Sequence, residues 1–256
     1  MVDLHAHILH GLDDGARALD DALAMARVAV DDGITLMAAT PHSPDSIASQ
    51  HYSAALVRER LGELRAALAA AQIPLELVEG TELCYAADLP QRLRAGTLLA
   101  YGGCRAVLLE CCGAELPAAL PELVFTLQAA GHRVVLAHPE RLRDVQRRPE
   151  LLAPLAERGV LIQITAAALA GRQGATLHAA AEELLLRGLA HLIASDAHGP
   201  VLRPPVLSEA RARAAALLGE AAAELLVRDI PRALLDDAPI PALPRSPRPA
   251  RKWRLW

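Results

Sequence analysis

One alternation repeats along this chain: a short apolar run, then a longer stretch with apolar residues at helical spacing. The runs begin at residue 2 and continue at residues 34–40, 75–79, 105–109, 133–137, 159–165 and 191–194. Helical spacing is read over 16–32, 52–71, 88–94, 118–130, 149–157, 176–187 and 208–226. In the first helical stretch, Leu19, Leu23, Ala26 and Val30 recur on one face and Gly33 ends it. Short, nearly continuous apolar strands separated by helices require right-handed βαβ crossovers and a mainly parallel sheet. Seven such strands predict an α/β chain folded as a (β/α)7 barrel, one strand short of the common eight. A length of 256 residues suits one barrel better than two domains.

In such barrels the chemistry sits at the carboxyl ends of the strands, and here those ends carry an unusual set of residues. The first strand brings His5 and His7, two residues apart and so on one face, followed by Asp13, Asp14 and Gly15. The next ends deliver His42, Glu82, Glu110, His138, and then Asp196 with His198; the sixth strand offers only Gln163 and Thr165. Taken singly, Glu82 or Glu110 reads as an ion-paired or capping carboxylate and His138 as a core histidine. Their coincidence at one barrel face points to metal instead. His5, His7, Asp14, His42, Glu82, Glu110, His138, Asp196 and His198 are too many for one ion and suit two or three divalent metals. Nitrogen and oxygen ligation without sulfur fits manganese, iron or zinc. His10, His51, His132, His178 and His191 fall outside the pattern and read as non-ligands.

Several function classes are excluded by composition. Aromatic residues make up 2% of the chain, so recognition by aromatic stacking is not expected. The only lysine is Lys252, which leaves no Schiff-base or Walker lysine in the barrel. The formal charge of −4 includes five basic residues and no acid over residues 238–256, leaving about −9 on the body and no basis for a nucleic-acid groove. No Cys-x5-Arg or Asp-x-Asp sequence is present, so phosphate chemistry on a cysteine or aspartate nucleophile is excluded. Cys84, Cys104, Cys111 and Cys112 lack CxxC spacing and read as buried or incidental thiols in a cytoplasmic protein, with a supporting role beside Glu110 left open for Cys111 and Cys112. No signal peptide or apolar run long enough to span a bilayer is present.

Three divalent ions among four carboxylates leave surplus positive charge, which favours a dianionic phosphate as ligand. Arg141 and Arg203, just beyond ligand positions, are placed to grip its oxygens bidentately. Metal-activated water would then attack phosphorus in line.

In combination and order, Asp3-Leu4-His5-Ala6-His7, Asp13-Asp14-Gly15-Ala16, Thr40-Pro41-His42, Gly80-Thr81-Glu82, Ala137-His138-Pro139-Glu140-Arg141 and Ser195-Asp196-Ala197-His198 resemble the polymerase-and-histidinol-phosphatase (PHP) superfamily. Within it, the likeness is strongest to the bacterial protein-tyrosine phosphatases of capsule and exopolysaccharide operons. The resemblance runs over residues 1–237 and implies a distorted PHP-type (β/α)7 barrel with three metals, commonly manganese. It assigns His5, His7, Glu110 and Asp196 to one ion, Glu82, Glu110 and His138 to a second, and Asp14, His42 and His198 to a third, with Glu110 bridging the first two. Arg141 and Arg203 match the phosphate-binding arginines. Two departures stand out: His10 where many relatives have Pro, and Ser43 where many have a second His, which affects the pocket wall or proton delivery.

The implied substrate is the phosphotyrosine-rich tail of a membrane-associated bacterial tyrosine kinase that controls polysaccharide export. The alternatives are a small-molecule phosphatase of the histidinol-phosphatase kind, or a non-catalytic adaptor of the export machinery. Residues 238–256 form a separate Pro-rich basic tail ending in Trp253 and Trp256; a solvated end is the simpler reading, and weak contact with an anionic membrane surface is the functional one.

Overall fold

The computed structural model describes residues 1–243. Eight strands follow in chain order: β1 (Val2–Ala6), β2 (Leu36–Ala39), β3 (Glu76–Glu79), β4 (Glu82–Cys84), β5 (Ala106–Glu110), β6 (Arg133–Ala137), β7 (Leu161–Thr165) and β8 (Leu192–Ala194). All pairings are parallel, in one sheet ordered β1-β2-β3 and a second ordered β4-β5-β6-β7-β8.

Two seams join these sheets into a ring. At one, Glu82 N–H donates to Pro41 O at 3.0 Å and Ser43 N–H to Glu82 O at 2.8 Å. At the other, Asp196 N–H donates to His5 O and His7 N–H to Ala197 O, both at 2.8 Å. The fold is a distorted (β/α)7 barrel in which the third strand is broken. The expected single run from residue 75 to Glu82 is two strands: β3 pairs with β2, and after Gly80-Thr81 the chain changes partner to β5. A Cβ on Gly80 would lie 3.1 Å from both Thr40 Cγ2 and Tyr101 Cδ1, so a larger residue at the break would press on both side chains.

Alternation along the strands divides the core. Leu36 and Ala38, Ala106 and Leu108, Val135 and Ala137, Leu161 and Leu192 join one cluster that fills the barrel, closed below by Ile230 and Leu234. Their neighbours Met37, Val107, Leu109, Val134, Leu136, Ile162, Ile164 and Ile193 pack outward against helices such as Leu19–Asp31 and Ala54–Ala70. The helix expected over 208–226 is interrupted. Gly219, with φ of 93°, separates Ser208–Leu218 from Glu220–Glu224, and a π turn and the helix Ile230–Leu235 follow.

The start of the expected tail is tied to the barrel floor. Arg133 donates to Ala238 O at 2.7 Å and to Asp237 O at 3.0 Å, and Ile240 and Leu243 pack on the inner cluster. The basic and tryptophan-bearing part of the tail, residues 244–256, lies outside the described residues. Among the described residues no helix is long and apolar enough to cross a membrane.

Candidate metal centre

All nine sequence-nominated ligands meet at the carboxyl end of the barrel. His5, His7, Glu82, His138 and Asp196 are buried, while His42, Glu110, His198 and Asp14 lie nearer the opening. Their ligand atoms form overlapping groups, each with members within 4.8 Å of one another: His5, His7 and Asp196; His5, Glu82 and His138; His42, Glu82 and Glu110; His7, Asp14, His42 and His198.

Glu82 occupies the middle. Its carboxylate lies 3.2 Å from His5 Nε2, 3.3 Å from His7 Nε2, 3.0 Å from His42 Nδ1 and 2.8 Å from His138 Nε2. Glu110 stands further out, 3.8 Å from His42 Nδ1 and 3.9 Å from His138 Nε2. The carboxylate between the imidazole groups is thus Glu82, whereas the family resemblance gives the bridging position to Glu110. Asp14 Oδ1 lies 3.3 Å from His198 Nε2 and 3.6 Å from His42 Nε2.

Local backbone explains how some of these side chains reach the centre. Continued alternation on β6 would send His138 to the outer face with Leu136. Its φ of 32° places it in the left-handed region and swings the imidazole onto Glu82. Asp196 also has a left-handed φ, 52°. For non-glycine residues such conformations cost about 1–3 kcal/mol each and persist where surrounding contacts fix them. Gly15 is required for another reason: a Cβ there would fall 2.2 Å from His7 O. That approach lets Ala16 N–H bond His7 O at 3.0 Å and folds the Asp13-Asp14 turn over the first strand.

The imidazoles are oriented from behind. His5 Nδ1 faces Gln163 Oε1 at 3.0 Å, an oxygen that can only accept, so Nδ1 carries the proton. His7 Nδ1 is held by Asp13 Oδ2 at 2.7 Å, and Asp13 also accepts from the His42 and Gly15 amides. Asp3 accepts from Ser195 Oγ–H at 2.5 Å and Ser195 N–H at 3.0 Å, tying β1 to the end of β8. Asp3 and Asp13 thus brace the centre. Gln163 is the partner that strand-end reasoning passed over, because only pairing across the barrel reveals that it faces His5. The same holds for fully buried Glu140, which accepts from Thr165 N–H at 2.8 Å.

These contacts supply a test of metal fit. With both Nδ1 positions protonated, the Nε2 lone pairs of His5 and His7 face each other at 3.3 Å among carboxylate oxygens. His42 Nδ1 and Glu82 Oε2 lie 3.0 Å apart without the geometry of a hydrogen bond, and neither has another hydrogen-bond partner. Lone pairs crowded this way repel unless cations lie between them, and the donor set is the nitrogen and oxygen mixture that divalent metals take.

The charges agree. Burial pushes the Glu82 carboxyl up, but His5, His138 and His42 outweigh it and hold it well below the usual range. Asp196 is likewise held low against its burial by His5, His7 and Arg141. The His198 hydrogen bond lowers Asp14 to about 2. Burial and neighbouring Glu82 push Glu110 up.

Arg141 and Arg203 converge on one oxygen. Arg203 donates to Asp196 Oδ2 at 2.6 Å, and Arg141 donates to the same atom. Beside them a cavity of about 500 Å³ opens past Asp14, Arg17, His198 and the exposed pair Val201-Leu202.

The remaining histidines lie apart from the ligand groups. His10 faces Glu63, His132 faces Arg105 O, His178 faces Glu182, and His191 Nδ1 accepts from Ile162 N–H. Ser43 Oγ accepts from Cys84 N–H at 3.0 Å, so it braces β4. The reading of Cys84 and Cys112 as incidental thiols is corrected: they form a disulfide, while Cys104 and Cys111 are free and buried. Parallel pairing of β4 with β5 sets Cys84 beside Glu110 and brings Cys112 into reach, a register invisible across 28 residues of sequence.

A broken parallel barrel with a cluster of histidines and carboxylates at its carboxyl end defines a metal-dependent hydrolase of the PHP-like class. The family described as capsular polysaccharide synthesis, CpsB/CapC, matches residues 1–236, and the chain belongs to it. It is 37% identical over 198 residues to tyrosine-protein phosphatase YwqE of Bacillus subtilis (strain 168), covering 77% of each chain. It is 23% identical over 222 residues to tyrosine-protein phosphatase CpsB of Streptococcus agalactiae serotype III (strain NEM316), covering 82% of this chain and 88% of that one. Among solved structures, it superposes with a TM-score of 0.90 and 33% identity on one from the crystallographic work on YwqE from B. subtilis and CpsB from Streptococcus pneumoniae. Those proteins are described there as unique metal-dependent tyrosine phosphatases; the match covers 97% of this chain and 100% of that one.

Proposed function

We infer that this chain is a metal-dependent protein-tyrosine phosphatase acting on phosphotyrosine of a bacterial tyrosine kinase that regulates capsule or exopolysaccharide synthesis. The observation that carries the reading is the convergence of nine nitrogen and oxygen ligands beside two arginines at one barrel end, in a member of this family. Three divalent ions, most simply manganese, would be held there by His5, His7, Asp14, His42, Glu82, Glu110, His138, Asp196 and His198. Bound, they would supply a Lewis acid and a nucleophilic water for attack on phosphorus.

The protein's own groups do the rest. Arg141 and Arg203 each use one N–H on Asp196 and retain further donors for the phosphate oxygens, and their planar forks match that geometry. Gln163 and Asp13 hold His5 and His7 with Nε2 facing the centre. The adjoining cavity gives the tyrosyl ring an apolar seat against Val201 and Leu202. A tyrosinate leaving group, of pKa about 10, needs less help from an acid than an alkoxide would.

The proposed organisation is a catalytic barrel over residues 1–237 in the cytoplasm; residues 238–243 pack on its floor, which leaves the basic cluster over residues 245–256 as the part available to an anionic membrane surface near a membrane-associated kinase. The test is hydrolysis of an aryl phosphate and phosphotyrosyl peptides, lost to a chelator and restored by Mn²⁺. Activity indifferent to chelator would overturn the metal mechanism. Faster turnover of histidinol phosphate than of the peptides would reassign the substrate.

A further inference from the structure

Two cysteines sit against the metal centre without belonging to its ligand set. Cys84 is the last residue of β4 and lies two positions after Glu82; Cys112 lies two after Glu110, just beyond the end of β5. They are disulfide-bonded with Cα atoms 5.8 Å apart, a separation usual for such bonds. Cys112 is exposed and Cys84 half-buried, so reagents in solution reach the pair. Register adds a second observation: Cys84 is the residue paired with Glu110 across the two strands. A third is a direct contact, since Cys112 Sγ lies 3.3 Å from Glu110 Oε2.

We propose that Cys84 and Cys112 are a reversible oxidation site, closed by a peroxide and opened by a dithiol, whose closed form fixes Glu110 for metal binding. The proposal rests on the metal reading of the centre. Glu110 is the outlying carboxylate of the cluster and the last residue of β5; its carbonyl accepts from Tyr85 N–H at 2.9 Å, and an irregular stretch follows before the helix Leu120–Ala129. The disulfide adds a second tie beside Glu110, joining the start of this stretch to the end of the strand that carries Glu82. It also removes a competitor. A reduced Cys112 thiol is placed to donate its hydrogen to Glu110 Oε2, an oxygen the metal would use, whereas a disulfide sulfur has no hydrogen to give.

The chemistry balances. The Cys112 sulfur attacks one peroxide oxygen as the O–O bond breaks; it becomes a sulfenic acid, and the departing oxygen leaves as water with the thiol proton. The Cys84 sulfur then displaces the sulfenic hydroxyl, forming the S–S bond and a second water. The two thiols lose two electrons and the peroxide gains them. A dithiol reverses the step by thiol–disulfide exchange and is itself left as a disulfide.

The test uses the full chain, treated with hydrogen peroxide or with dithiothreitol and then desalted. Thiol titration in denaturant is expected to find two free thiols after peroxide and four after dithiothreitol, with digestion and mass spectrometry placing the bond between Cys84 and Cys112. Mn²⁺-loaded protein is then challenged with a chromogenic chelator. The oxidised form should retain Mn²⁺ about tenfold more tightly, the scale set by groups that position a metal ligand. Cys112→Ser, which keeps a donor beside Glu110, should behave as the reduced form under both treatments. Cys112→Ala should lose the redox response, and a Cys104→Ser, Cys111→Ser double variant should keep it. Four thiols after peroxide, a bond mapped to Cys111, or equal Mn²⁺ retention in both forms would each overturn the proposal. Failure to bind Mn²⁺ in either form would instead refute the metal reading on which it rests.

Discussion

Gln163 Oε1 lies 3.0 Å from His5 Nδ1 and thereby fixes which nitrogen of His5 faces the centre. Gln163→Leu keeps much of the side-chain volume but leaves that N–H buried without an acceptor. Metal affinity is expected to fall about 10- to 100-fold. Mn²⁺ titration should show the loss, excess Mn²⁺ should recover most of the activity, and an unchanged far-ultraviolet spectrum should show that the barrel persists.

Asp13 holds three groups at once: His7 Nδ1 at 2.7 Å, the His42 amide at 2.9 Å and the Gly15 amide at 3.0 Å. Asp13→Ala releases two ligand-bearing segments together. Its effect on Mn²⁺ affinity should exceed that of Gln163→Leu, a ranking checked by calorimetry on the two variants side by side.

At Gly15 the prediction is steric. Gly15→Ala would put a methyl group 2.2 Å from His7 O, and the contact is backbone, which cannot swing aside. A cost of about 3 kcal/mol is expected, a fall in Tm of roughly 10 °C for a domain of this size. Thermal unfolding of the metal-free protein should show this fall, which separates it from loss of metal.

Arg141 and Arg203 meet at Asp196 Oδ2, and both are proposed to receive the phosphate. Either one replaced by Ala should lower kcat/KM about a hundredfold. Arg141→Lys should recover little, because one ammonium cannot reproduce the planar fork. Steady-state kinetics on an aryl phosphate tests both statements, and a Lys variant with wild-type kcat/KM would remove the bidentate role.

How far the sequence discloses this molecule depends on how local each feature is. His5, His7 and His42 announce themselves because apolar strands rarely end in histidine, and the barrel follows from seven repeats of one alternation. The split of the third strand does not, since β3 and β4 read as one run until their separate partners are known. Gln163 has no chemical signal of its own; its role exists only through a residue 158 positions away. The central place of Glu82 arises in the same way, from four imidazoles delivered by different loops and strands. Gly219 illustrates the opposite case: it was visible in the sequence, but helical spacing on both sides concealed that its positive φ ends one helix and begins another.

Arg133 opens β6 by gripping the carbonyls of Asp237 and Ala238, while the same strand delivers His138 to the metal centre at its other end. Five residues of strand, about 17 Å, therefore stand between the point where the described chain leaves the barrel and the mouth of the site. A label placed at Leu243 itself would thus sit on the floor of the barrel, at the end away from the reactive mouth, leaving room for a phosphate carried on a bulky protein to approach without meeting it.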